Sequence, residues 1–385
     1  MTPSTPLARS DFAVTERCAY LNHAAAGVLP KPTHQALRAF VDDHAAGGIL
    51  GVWPYERCMD EYRSALARFI GAPDGTIAIL RNTGDGANAL RGGIEWDAGD
   101  ELLLPDNEFP ANVQPWLKIR ERGAAVRFLP MKERRLTPDV LRAAISPRTK
   151  AVAVSWVSFE DGYRHDLAGL AAVAHSAGAL FFVDAIQGLG AFPLDVRALD
   201  IDALYCGGAK WMLALQGVGF LYVRPELLER LGLGAPGWRS VENMWDFLNY
   251  EQPLAGDATR YEGGTPNFIG ALSLAESVRV IEAAGTARIG AHVLELTDRL
   301  AAGLTEAGAE VRSLRGPHCS SGIVTFRLPG LDAVELGRRL QQDGIVTTYR
   351  PGGVRVAPHG YNLPSEIDAL VDTVSRYKKE TLCSR

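Results

Sequence analysis

Cysteine is scarce in this chain. Its five residues (Cys18, Cys58, Cys206, Cys319 and Cys383) are scattered through 385 positions and form no CxxC pair. That excludes a disulfide framework and a cysteine-built zinc centre, and it fits a reducing cytoplasm. The eight histidines are dispersed, with no HExxH or similar ligand spacing, so no metal site is expected. No apolar run reaches the ~18 residues of a membrane span, and the opening MTPSTPLARSDFAVTERC has no signal-peptide core. Basic clusters with interleaved aromatics are missing, and the formal net charge is -5, so nucleic acid is excluded as a partner. The expectation is a cytoplasmic protein, with the composition usual for a soluble globular enzyme.

What is present is an alternation of apolar strands and helices. TIAIL (76–80), ELLL (101–104), AVRFL (125–129), KAVAVSWV (150–157), ALFFVDA (179–185) and VGFLYV (218–223) read as near-continuous apolar strands. GDGANALRGGI, NVQPWLKIRERG and LAGLAAVAHSAG read as helices between them. Strands apolar on both faces and separated by helices predict an α/β fold with a mostly parallel sheet sandwiched by helices. Beyond residue 260, two long amphipathic helices (269–284 and 287–308) lead into shorter strands and a last helix from Pro364, which predicts a smaller α+β domain. Between them, residues 232–262 are rich in Gly, Pro and aromatics, and too long for a simple connector.

The stretch YCGGAKWML places Lys210 in apolar surroundings with no charged neighbour in sequence. Either its stem snorkels to the surface, or its amine serves chemistry in a dry place. Asp184 ends an apolar strand 26 residues earlier, so both can reach the carboxyl edge of one parallel sheet. An ordinary ion pair is one reading. The other is pyridoxal 5'-phosphate (PLP), which needs a lysine for its Schiff base and an acid at its ring nitrogen. Its phosphate would be met at a helix N-terminus, and RNTGDGAN offers Thr83 and Gly84 where a strand gives way to a helix.

Six stretches in order, YLNHAAAGVLP, RNTGDGANAL, EFPANVQPW, VDAIQGLGAFPLDVRALDIDALYCGGAKWML, RYEGGTPN and GVRVAPHGYN, resemble the class V aminotransferase family of fold-type I PLP enzymes over about residues 19–363. That family includes cysteine desulfurases, kynureninases, isopenicillin-N-epimerase-like proteins and C–S lyases. The resemblance implies that Lys210 carries the cofactor and then shuttles protons, and that Asp184 pairs with the ring nitrogen. Gln187 would bond the 3'-oxygen, Thr83 and Gly84 the phosphate, and Phe109 would cover the ring. Thr265 would reach the phosphate of a partner subunit in a homodimer with shared active sites. Arg355 would clasp the substrate carboxylate, and Asn22, His23 and Phe159 would contact the substrate. The implied division is a large PLP-binding domain, 20–265, and a small domain formed by 1–19 and 266–385.

Three departures narrow the implied activity. Gly207 and Ala209 stand where the family often has a phosphate-binding serine and histidine, which leaves Trp238, Arg239 or Thr265 as possible substitutes. Phe109 stands where many members have a histidine, and it cannot carry a proton. The stretch from Tyr349 to Arg355 has no cysteine, where desulfurases carry a sulfur-accepting one. The expectation is therefore an enzyme that acts on an α-amino acid through an external aldimine, epimerase-like or of C–S/β-lyase type. A true aminotransferase and a desulfurase or selenocysteine lyase are the alternatives, and a non-catalytic PLP-binding regulator is disfavoured. Trp156, Phe159 and Tyr163 are expected to form an aromatic wall suited to a bulky side chain. A nucleotide-dependent dehydrogenase lacks its GxGxxG between strand and helix.

Overall fold

The computed structural model describes residues 5–131, 135–350 and 352–383. A two-residue strand, β1 (Ala19–Tyr20), precedes the strands of the central sheet: β2 (Ile77–Leu80), β3 (Glu101–Pro105), β4 (Ala125–Leu129), β5 (Thr149–Ser155), β6 (Leu180–Asp184), β7 (Ala203–Gly207) and β8 (Gly219–Val223). These seven lie in the order β2-β8-β7-β6-β5-β3-β4. The run from β7 to β4 is parallel, and β8 pairs antiparallel with both β7 and β2. Strands β3, β7 and β8 are buried throughout, as their unbroken apolar runs require of a sheet covered on both faces. The mostly parallel α/β sandwich is the fold expected.

The small sheet has the order β12-β13-β10-β9, built from β9 (Glu310–Val311), β10 (Val324–Arg327), β12 (Thr348–Arg350) and β13 (Gly353–Val356). The intervening β11 (Ile345–Val346) pairs in parallel with β1, so the chain's beginning is tied to its last third.

The helices Phe268–Ala284 and Thr286–Glu306 meet at Gly285, whose φ of 82° favours glycine. The division of the core differs from the expected boundary at 266. Leu272, Leu274, Val278, Ile281, Ile289 and Val293 join the cluster of the large sheet, whereas Leu296, Leu300 and Leu304 join that of the small sheet. The packing therefore changes over within the helix Thr286–Glu306. At the other end of the chain, Leu7 and Phe12 also join the large cluster, with Phe12 stacked on Tyr361 at 3.9 Å.

One expected helix is broken. NVQPWLKIRERG forms a single helical turn, Gln114–Leu117, followed by a 3-10 segment, Lys118–Arg122. Pro115 withholds a backbone donor at the first turn, and Gly123 at φ 79° ends the run.

Candidate active site

Strands β5, β6 and β7 end side by side at the carboxyl edge of the sheet with Ser155, Asp184 and Gly207, and Lys210 lies in the turn just beyond β7. Three hydrogen bonds hold the turn, one within it and two from other segments. Gly27 N donates to Ala209 O at 2.7 Å, Leu213 N donates to Lys210 O at 3.1 Å, and Ser277 Oγ donates to Leu213 O at 2.8 Å. Leu213, fully buried, has a φ of 57°, a left-handed conformation that costs a non-glycine residue on the order of 1–3 kcal/mol. A Cβ on Gly27 would stand 2.1 Å from Lys210 O, so only glycine lets the N-terminal segment come this close. Burial pulls the Lys210 amine down to about 8, against the attraction of Asp184, and Arg355 and Arg350 push the same way as burial. Its Nζ lies 5.4 Å from the centre of the Phe109 ring.

Asp184 is buried. Its Oδ1 accepts from Ile186 N at 2.9 Å, while Oδ2 has no hydrogen-bond partner among the described residues. Burial first, and the charge of Glu108 second, push its carboxyl up to about 7. Glu108 is a group that sequence reading passed over. Its carboxylate accepts from Ser155 N at 2.5 Å and from Ser155 Oγ at 2.6 Å, which fixes it behind Asp184, and burial raises its pKa. Gln187 is clamped by its amide. Trp211 Nε1 donates to Oε1 at 3.0 Å, and Nε2 donates to Ala24 O at 3.0 Å, leaving one N–H proton for a ligand.

Thr83 is the first residue of the helix Thr83–Gly93, capped by Asn82, whose side chain accepts from Asp85 N. Thr83 Oγ1 is buried without a hydrogen-bond partner. A Cβ on Gly207 would stand 3.2 Å from that oxygen and 3.0 Å from Ile186 Cδ1, so a serine at 207 would crowd both. Glycine there and threonine here are one packing solution. Arg239, a possible substitute for the missing phosphate ligands, is engaged with Glu56 at 3.0 Å, and Trp238 is exposed. Thr265 is exposed and lines an open cleft with Arg81, Asp85, Asn88 and Arg91; neither Lys210 nor Asp184 lines it.

On the substrate side, Arg355 sits in β13 between Thr325 of β10 and Thr348 of β12. It is buried, donates from Nη1 to Phe159 O at 2.6 Å, and has an unpartnered Nε. Burial, with the neighbouring charge of Arg350, lowers it to about 10. Phe159 meets Phe109 edge to face at 5.1 Å and, with Arg355, lines a cavity of about 240 Å³. A larger cleft of about 1050 Å³ is lined by residues of the 232–262 segment and, among the described residues, shares no lining residue with this one.

The structure departs from several expected roles here. His23 is fully buried, with Nδ1 3.0 Å from Ala357 O and Nε2 3.0 Å from Tyr361 OH, so neither ring nitrogen is free for a substrate. It is a packing residue that ties the N-terminal segment to the last third of the chain. Asn22 receives a hydrogen bond from Thr348 Oγ1 on its Oδ1, beside Arg355 in the register. The aromatic wall reduces to Phe159. Trp156 is buried over Gly188, where a Cβ would stand 2.4 Å from its ring, and Tyr163 pairs edge-on with His165 at 5.0 Å. His165 itself is held by Ser155 O at 2.8 Å, and Arg164 lies over Phe192.

Burial raises the Cys206 thiol far above its usual value, and Cys319 lies in the turn after Gly316. Pro351, within the stretch where a cysteine loop would stand, lies outside the described residues, as does the side chain of Cys383. No cluster of three His, Cys, Asp or Glu that could hold a metal occurs among the described residues, and no helix there is long and apolar enough to cross a membrane.

The family model described as aminotransferase class-V matches residues 19–363. A probable cysteine desulfurase of Methanothermobacter thermautotrophicus is 28% identical over 397 residues, covering 95% of this chain and 96% of that protein. The apo structure of a cysteine desulfurase from Thermococcus onnurineus superposes with a TM-score of 0.88 at 26% identity, covering 97% of each chain. A structure of the cystine C–S lyase C-DES with its reaction product cysteine persulfide shares the fold, with a TM-score of 0.86 at 24% identity over 93% of this chain and 97% of that one. Enzymes of the matched family depend on PLP. The buried atoms left without partners fit that cofactor: Asp184 Oδ2 for a protonated ring nitrogen and Thr83 Oγ1 at a helix N-terminus for a phosphate.

Proposed function

Because the chain belongs to the class V aminotransferase family, we propose that it is a PLP-dependent lyase that breaks a bond at Cβ of an α-amino acid without using a protein persulfide. Lys210, Asp184, Gln187, Thr83 and Gly84 hold the cofactor, and Phe109 covers its ring. When bound, PLP supplies an electron sink conjugated to the substrate's amino group. Lys210 Nζ takes the proton from Cα, and an amine lowered to about 8 suits that exchange near neutral pH. Arg355 has Nε and its second terminal nitrogen open to the α-carboxylate, in the paired geometry a guanidinium allows. Phe109 and Phe159 keep water from the reacting carbon.

One observation carries the preference for a lyase. Arg355 stands on a tight hairpin, with Arg350 opposite Gly353, where a desulfurase would need a reach of loop bearing a thiol. The names of the relatives at 28% identity give the competing reading, a cysteine desulfurase. Support for an epimerase-like enzyme weakens with His23, whose two nitrogens are spent on packing. Thr265, exposed and apart from Lys210 in its own chain, serves in this reading the phosphate of a second copy across a homodimer. Incubation with a panel of β-substituted amino acids tests the proposal. Ammonia and an α-keto acid released with no added keto acid support it, whereas strict dependence on an added keto acid refutes it.

A further inference from the structure

The cavity beside Arg355 carries more positive charge than an α-carboxylate needs. Among the described residues, Phe159, Thr348, Arg350 and Arg355 line it, together with Arg312 and a single acid, Glu160. Arg312 Nη1 donates to Gly352 O at 2.8 Å, which turns that guanidinium to the hairpin's own backbone. Arg350 is different. It is exposed, lies over the Phe159 ring at 5.9 Å, and has no hydrogen bond or ion pair among the described residues. Arg355 likewise has no carboxylate partner among the described residues, although it is buried. Two guanidinium groups without counter-ions on adjacent strands repel each other, and a protein bears such a cost where a ligand removes it. The open edge of Arg355, Nε with one terminal nitrogen, is enough for one carboxylate. Arg350 is then free for a second anion.

We propose that the substrate is an α-amino acid whose side chain itself ends in an anionic group, with the α-carboxylate on Arg355 and the side-chain anion on Arg350. The inference rests on reading this site as the amino-acid site of a PLP enzyme. The modest volume, about 240 Å³ and below the usual range for drug-sized ligands, limits the side chain to a few heavy atoms. That replaces the bulky side chain expected from the sequence with a small, anionic one.

The test uses the holoenzyme and two isosteric pairs, L-aspartate against L-asparagine and L-glutamate against L-glutamine. Each is titrated while the absorbance band of the bound cofactor is followed, which reads binding rather than turnover. In at least one pair the acid binds tighter than its amide by about tenfold or more, the scale of a hydrogen-bonded charge pair. In Arg350→Gln that ratio falls towards one, and Arg350→Lys restores part of it. Acid and amide binding alike in both pairs overturns the inference but leaves the enzyme reading intact. So does a ratio that Arg350→Gln does not change. If no amino acid perturbs the band, the amino-acid site falls and this inference falls with it.

Discussion

Replacing Asp184 with asparagine separates what the residue costs from what it does. Its carboxyl is buried, and burial together with Glu108 moves it from 3.8 up to about 7. At ~1.4 kcal/mol per pKa unit, the fold bears a net penalty of roughly 4 kcal/mol for keeping this group ionised, after the hydrogen bond from Ile186 and the attraction of Lys210 have opposed burial. Below the unfolded value both states hold the proton and nothing is lost. Between about pH 4 and 7 the unfolded chain ionises while the folded chain stays protonated, so the stability of the apoprotein falls as pH rises. Asparagine keeps an oxygen for Ile186 N, which donates to Asp184 Oδ1 at 2.9 Å, and removes the ionisation. The assay is thermal melting of apoprotein at pH 5 and pH 8, with and without added PLP. The Asp184→Asn apoprotein should melt above wild type at pH 8 and lose less between the two pH values. Added PLP should reverse the order, because a ligand stabilises the folded state more the tighter it binds, and on our proposal the variant lacks the partner of the ring nitrogen. A variant that melts no higher than wild type at pH 8 would refute the penalty. One that gains as much from PLP as wild type would refute the pairing.

Other residues give sharper, smaller tests. Thr83→Val removes a buried hydroxyl with no protein partner, so it should leave the apoprotein melting temperature nearly unchanged and weaken PLP binding by about tenfold, read by fluorescence titration. Gly27→Ala forces a methyl group to within 2.1 Å of Lys210 O, and the displaced turn should cost about 1–3 kcal/mol in denaturant unfolding and lower turnover. The double variant Cys206→Ala, Cys319→Ser should keep most of its turnover, measured as keto-acid release. Loss of turnover on removing either thiol would return the persulfide mechanism.

The fold was legible in the sequence wherever structure is local. Each apolar run of four to eight residues became a strand within a residue or two of its expected ends, because a strand buried on both faces has little else it can be. Lys210 and Asp184 stand out in the sequence because a charge in apolar surroundings is conspicuous, and Arg355 through the resemblance of GVRVAPHGYN; the structure buries Asp184 and Arg355. What stayed hidden depends on contacts distant in sequence. His23 and Tyr361 meet across 338 residues, so a histidine spent on packing reads in sequence like one free for a ligand. Trp156 turned inward because Gly188 leaves room for its ring, a pairing that no periodicity reveals. Glu108 sits in the legible EFPANVQPW stretch, but its role follows from Ser155 at the end of another strand. The helix Phe268–Ala284 looked like the start of the small domain, yet its apolar face packs on the large core. Arg350 drew no notice, because an exposed arginine is ordinary until its neighbours lack counter-charges.

The central claim is chemical and local: the amine at 210 carries the cofactor. Borohydride reduction of the PLP-loaded protein, followed by proteolysis and mass spectrometry, tests it most directly. A pyridoxyl adduct on the peptide containing Lys210, absent from Lys210→Ala, is the result predicted. A reduced protein with no such adduct, or with the label on another lysine, would contradict it.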